Sequence, residues 1–210
     1  MTTPGTRDRP AGSRRGAGGR AAVHEAALRL FAEHGVSGTS LQMIADAMGV
    51  TKAAVYHHYR TKDEIVLGLI APALDRLTAV VTEAESRGSR AAQVEVVVSG
   101  LVDALLADRQ AYGMLKGDPA VAALLRRHPP LQALVHRIQD LLTGPDPDVT
   151  TRIAVAMLGN ALRGTANDPL CADVDDATLR SNLVGIARRV LAGCQAHLPA
   201  EQTAEQTAGR

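Results

Sequence analysis

An all-α fold is predicted, with a small three-helix domain containing a helix-turn-helix followed by a larger helical domain. Three observations predict it. Apolar residues recur at steps of three and four along nearly the whole chain. The punctuation between these runs is short and made of glycine, proline and capping residues. One Phe, three Tyr and no Trp among 210 residues leave a core of Leu, Val, Ile, Met and Ala. That composition suits close helix packing better than a sandwich or barrel.

The segment 1–19 holds Arg7, Arg9, Arg14 and Arg15 against a single Asp8, within glycine, serine and proline. It reads as a flexible basic arm, able to touch phosphates or serve only to solubilise. From Arg20 to His34, Val23, Ala27, Leu30 and Phe31 fall at helical spacing, and Gly35 stops the helix. Thr39 or Ser40 then caps a second helix carrying Leu41, Ile44, Ala45 and Met48, which Gly49 ends. Thr51 caps a third helix that runs to about Tyr59. Only "GVT" separates the two short helices.

Asp63 and Glu64 favour the start of a fourth helix, continued by Ile65, Val66, Leu69 and Ile70 and resumed beyond Pro72 to Val81. Val94, Val97, Leu101 and Leu105 predict a helix despite the β-prone "VEVVV". Further helices are expected at about 119–127, 130–142, 149–166 and 174–196, bounded by "GDP", "HPP", "TGPDPD" and "NDPLCAD". The domains expected are thus the arm 1–19, a small three-helix domain 20–67, a larger helical domain 68–198 and a flexible tail 199–210.

Net charge is only +1, so charge does not itself announce a polyanionic partner. Cys171 and Cys194 are too few for a disulfide framework or thiolate cluster. No phosphate-binding glycine loop or metal-binding motif is apparent, and Ser, His and Asp are scattered; no enzyme, cofactor or metal is expected. No stretch reads as a secretory leader or a membrane span, and a cytoplasmic protein is expected.

A helix, "GVT" and a helix make a helix-turn-helix, whose second helix can enter a major groove. That helix carries Lys52, Tyr56 and His57, with Ala53 and Ala54 giving it a slim leading face. Thr39, Ser40 and Thr51 place hydroxyls at helix N-termini, where phosphates bind. Each residue has a plainer reading: Tyr56 as a core cover, the histidines as surface residues, Lys52 and Lys62 as solvated charges. Tyr59 reads as core, and the adjacent His57 and His58 do not share a helical face.

The stretch "AALRLFAEHGVSGTSLQMIADAMGVTKAAVYHHYRTKDEI" resembles the DNA-binding domain of TetR-family transcriptional regulators. Phe31, Gly35, Thr39, Ile44, Ala45, Gly49, Val50, Tyr56, Tyr59, Lys62 and Ile65 occupy the family pattern in order. Tyr59 stands where phenylalanine is common, and Thr51 where serine is. The resemblance covers roughly the first third of the chain. It implies that Ser40, Gln42, Thr51, Lys52, Ala53, Tyr56, His57 and Lys62 approach DNA. Tyr56, His57 and Lys62 are expected on phosphates, and Gln42, Lys52 and Ala53 near bases.

It further implies a homodimer on a palindromic double-stranded operator, acting as a repressor released by a small, largely apolar effector. The expected effector lining is Leu77, Leu101, Leu105, Tyr112, Met114, His128, Leu134, Ile138, Met157 and Asn160. The expected dimer helices carry Ile153, Met157 and Ala161, then Leu179, Leu183, Ile186 and Val190, stripes that would equally serve a monomer core. Two other classes stay open on the residues alone: a helical protein-interaction module without DNA binding, and an enzyme acting on a small hydrophobic molecule.

Overall fold

The computed structural model describes residues 12–107, 109, 118–165 and 168–195. Every regular element among them is helical: α1 Gly12–Gly38, α2 Leu41–Ala47, α3 Lys52–His58, α4 Lys62–Glu85, α5 Arg90–Ala107, α6 Pro119–Arg126, α7 Pro129–Thr143, α8 Val149–Thr165 and α9 Asp176–Gln195. A single 3₁₀ turn, Pro169–Cys171, lies between α8 and α9.

Local chemistry sets the helix ends. Gly35 adopts φ 69°, ψ 166°, a left-handed value that breaks α1 where the sequence predicts a stop. Ser40 caps α2 by accepting the Met43 N–H at 3.1 Å, and Thr51 caps α3 by accepting the Ala54 N–H at 3.3 Å. Gly49, at φ 66°, turns the chain between them. Thr61 accepts the Glu64 N–H at 3.1 Å at the head of α4, while the Glu64 carboxylate accepts the Arg60 N–H at 2.7 Å. α1 begins at Gly12, inside the segment expected to be a flexible arm. Once nucleated, a helix extends one bond per residue, and the packed turns beyond Arg20 provide the nucleus.

Two compact units emerge. The described residues of Met1–Pro72 and Met114–Leu124 form one. Its buried side chains include Val23, Ala27 and Phe31 of α1, Leu41 and Ile44 of α2, Val55 of α3, and Ile65 and Val66 of α4. The helices α1, α2 and α3 pack pairwise.

The described residues of Ala73–Gly113 and Leu125–Arg210 form the other unit. Its core joins Ala84, Val97, Val98, Val102, Leu142, Val155, Leu158, Leu162, Leu183, Val184, Ala187 and Leu191. The helix α5 is central, packing on α7, α8 and α9. Gly100 lets α5 approach α4: a Cβ there would lie 2.4 Å from Val80 Cγ2. Charged pairs fix the register of α9 on α5. Arg180 holds Asp103 through two bonds of 2.5 and 2.9 Å, and Arg188 pairs with Glu95.

One expectation needs correcting. The helix α4 is long and apolar enough, by length and composition, to cross a membrane, with a mean hydropathy of 1.7 over its best window. Between Ile65 and Thr82 only Asp75 and Arg76 are charged. In this fold Ile65, Val66, Ile70, Ala73, Val81 and Ala84 of that helix are buried against protein.

Candidate nucleic-acid interface

The outer surface of α2 and α3 carries most of the residues expected to meet DNA. Ser40, Gln42, Thr51, Lys52, Ala53, Tyr56 and His57 are all exposed, while Ile44, Ala45 and Val55 on the inner faces are fully buried. Inner and outer faces are thereby divided as a reading helix requires: an apolar anchor beneath, polar side chains above.

Several of these residues are held in place before any ligand arrives. Tyr56 is 44% exposed, and the Lys52 ammonium lies 5.5 Å from its ring centre. The oxygens of Ser40 and Thr51 accept helix N–H groups, so each hydroxyl keeps its hydrogen for a phosphate oxygen. Gln42 donates from Nε2 to Asp46 Oδ1 at 2.7 Å, leaving its carbonyl and second N–H for a base edge.

Two residues sit differently from the rest. Lys62 is partly buried, and its ammonium donates to the carbonyls of Val36 at 2.6 Å and Ser37 at 3.2 Å. Of its three N–H groups, one is left for a phosphate. Thr39, expected among the phosphate-facing hydroxyls, is 2% exposed; its hydroxyl is directed at the carbonyls of Gly35 and Leu30, at 2.8 and 3.2 Å. It ties α2 to the end of α1 and does not reach the surface.

Tyr59 is buried, as expected, and its hydroxyl has a partner that sequence reading misses. Tyr59 Oη lies 2.6 Å from His24 Nε2, and the Arg20 guanidinium lies 5.9 Å from the ring centre. Gly68 of α4 makes room for the pair; a Cβ there would stand 2.8 Å from His24 Nε2. The tyrosine in a position where phenylalanine is common was the available signal. Burial, and then the charge of Arg20, hold His24 below the ordinary histidine value of 6.5, while burial raises the Tyr59 phenol.

Because the folded His24 value is depressed, the unfolded chain takes up the proton first. Its contribution is complete above the ordinary histidine value and is lost as pH falls through that value towards the folded one. Denaturant titrations are expected to show this loss in the wild type and a flatter profile in His24→Gln. Tyr59→Phe, which strips the histidine of its partner, is expected to cost about 1 kcal/mol at neutral pH.

The larger unit sorts the remaining expected residues. Leu134 is buried, and Leu77, Leu101, Leu105 and Ile138 are partly buried. His128 caps α7, its Nδ1 accepting the Leu131 N–H at 3.3 Å. Tyr112 and Met114 lie outside the described residues. Met157 is 65% exposed and Asn160 is also exposed, accepting from Arg163 at 2.8 Å; both face outward. A cleft of about 430 Å³ at the far ends of α4 and α7 is lined by Glu85, Arg90, Arg137 and Asp140 among others, and by none of the expected effector residues.

The dimer stripe divides as well. Leu179 and Leu183 are buried in their own protomer's core, whereas Ile186 and Val190 on the flank of that stripe are exposed. On α8, Val149, Ile153 and Met157 are exposed at successive steps of four, with exposed Ala161 beside them, while Val155, Leu158 and Leu162 face inward.

This anchored pair of short helices coincides with a known pattern. Residues 24–69 match the sequence profile described as bacterial regulatory proteins, tetR family. The chain belongs to the TetR family.

Relatives agree with the assignment. The transcriptional repressor AcnR of Corynebacterium efficiens is 26% identical over 191 residues, covering 90% of this chain and 87% of its own. The transcriptional regulator AcrR of Shigella flexneri is 49% identical over 43 residues, 20% of each chain. In fold, the chain is similar to the ketosteroid transcriptional regulator KstR2 of Mycobacterium tuberculosis, with a TM-score of 0.57, 22% identity and coverage of 88% of this chain and 96% of that one. AmtR of Mycobacterium smegmatis gives 0.58, 23% identity and 89% of each. This TetR-family protein is a DNA-binding transcriptional regulator whose helix-turn-helix is α2 and α3.

Proposed function

We propose that this regulator is a cytoplasmic homodimeric repressor, released from a palindromic operator by a small, largely apolar effector. The exposed α3 surface over buried Val55 carries the reading. Tyr56, His57 and the free N–H of Lys62 take phosphates, as do Ser40 and Thr51. Gln42, Lys52 and Ala53 approach bases. The named repressors AcnR and KstR2 among its relatives support the sign of regulation.

Domain roles follow: residues 20–67 read DNA, and 68–198 pair protomers and take the effector. The outward apolar residues Ile153, Met157, Ile186 and Val190, with Ala161, support pairing through α8 and α9. A dimer places two α3 helices on half-sites roughly 34–36 Å apart. Leu77, Leu101, Leu105, Leu134 and Ile138 remain the proposed apolar lining, and Tyr112 and Met114 stay proposed effector residues on the family resemblance alone. His128, Met157 and Asn160 drop from that lining, because one caps a helix and two face outward. An effector that favours a head spacing mismatched to the grooves weakens DNA binding, and DNA weakens effector binding equally.

Salt titration on a bound duplex tests the DNA reading. Affinity is expected to fall steeply and linearly in log–log form as ions are released from neutralised phosphates. Binding that ignores salt would point to a protein-interaction surface instead.

A further inference from the structure

The last turn of α1, beyond the break at Gly35, is gripped on its N–H and carbonyl groups by residues far away in sequence. Lys62, at the head of α4, donates to the Val36 and Ser37 carbonyls at 2.6 and 3.2 Å. Asp118, preceding α6, accepts the Val36 N–H on Oδ2 at 2.5 Å, across 82 residues. The other carboxylate oxygen accepts the Ala120 N–H at 2.8 Å, and the Asp118 carbonyl accepts from Ala122 at 3.0 Å. Asp118 is therefore the N-cap of α6, with Pro119 in the first helical position. The same side chain caps one helix and holds the turn that leads into the reading head.

Glycine is needed at the centre of the grip. Gly35 has φ 69°, and even a Cβ there would meet Asp118 Oδ2 at 3.2 Å. Burial pushes the Asp118 carboxyl up, yet the N–H groups of Val36, Ala120 and Val121, with the nearby Lys62 charge, outweigh it and hold the group below its ordinary value. It therefore stays an anion.

Both gripping helices continue out of the unit they start in. The helix α4 passes from Pro72 to Ala73, and α6 from Leu124 to Leu125, where each joins the larger unit. Helices are stiff, so a rotation of either one is delivered to its first turn. Resting on the regulator reading above, we infer that Asp118 is a positioning residue: with Lys62 it clamps the Val36–Ser37 turn, and through that clamp the larger unit and the reading head sense one another's state. Neither residue need touch effector for this, and Asp118 need not touch DNA.

Reciprocity allows a test without knowing the effector. Amide hydrogen exchange is followed with and without a duplex selected from genomic DNA, in wild type, Asp118→Ser and Asp118→Thr. Either hydroxyl still caps α6 but is too short to hold Val36 as well. Duplex binding is expected to change protection in 20–70 and also in 119–143 of the wild type. Both variants are expected to lose the change in 119–143 while keeping that in 20–70. The clamp is overturned if wild type binds duplex with no change in 119–143, or if a folded variant transmits like wild type. A wild type that binds no duplex overturns the regulator reading, and the clamp with it. If Asp118→Ser fails to fold, Asp118→Thr decides by the same readout.

Discussion

Replacing Tyr56 by phenylalanine is expected to weaken operator binding by about tenfold to a hundredfold, and replacing it by alanine by at least as much. A hydrogen bond to a charged phosphate is worth about 1.5–3 kcal/mol, and 1.4 kcal/mol is a factor of ten. Phenylalanine removes the hydroxyl alone. Alanine also removes the ring that Lys52 lies over at 5.5 Å, so the ammonium loses the surface that orients it. Tyr56 is exposed and outside the core, so thermal stability should be nearly unchanged in both variants. A phosphate contact carries no sequence information. Specific and non-specific duplexes are therefore expected to lose affinity together, as fluorescence anisotropy on both will show. Loss confined to the specific duplex would move Tyr56 from the backbone to a base edge.

Ile153→Glu is expected to abolish the dimer. Ile153 is 55% exposed in the protomer, where a glutamate would be hydrated and harmless. In the proposed α8–α9 interface the same carboxylate would be closed off from solvent, at a cost of several kcal/mol per buried ion. The dimer dissociation constant should rise by at least about a hundredfold, since 1.4 kcal/mol is a factor of ten. Light scattering would then report a folded monomer. Ile186→Glu should behave alike. Leu183→Glu should not: Leu183 lies in the protomer's own core, and a charge there unfolds the larger unit. Three glutamates on two helices thus separate pairing from folding. If Ile153→Glu and Ile186→Glu both remain dimers, the α8–α9 face is not the interface.

The contrast among these three residues also shows what periodicity can convey. Leu179, Leu183, Ile186 and Val190 fall at steps of four, three and four, which reads as one stripe. The buried arc of α9 is centred instead on Val184, Ala187 and Leu191, with Ile186 and Val190 on its flank. Spacing tells which face is apolar, not whether the same chain or a second one covers it. Where the determinant is local, the reading works. Ser40, Thr51, Gly35 and Gly49 set the ends of α1, α2 and α3 through bonds or φ values within four residues of themselves. Asp118 and Val36 are 82 residues apart, and no pattern in either neighbourhood points to the other. Lys62 carries the same lesson: its position in the motif suggests a phosphate, while its nearest acceptors are two carbonyls at the end of α1.

The account's central claim is that α3 reads DNA as one of a symmetric pair. Selection of duplexes from a fragmented genome by the purified full chain tests it most directly. The expected result is one enriched inverted repeat, its half-sites about one helical turn or a multiple apart, its enrichment over other duplexes lost when Lys52, placed near the bases, is replaced by alanine. Recovery of no enriched duplex by a folded, dimeric protein, or enrichment unchanged by Lys52→Ala, would contradict it.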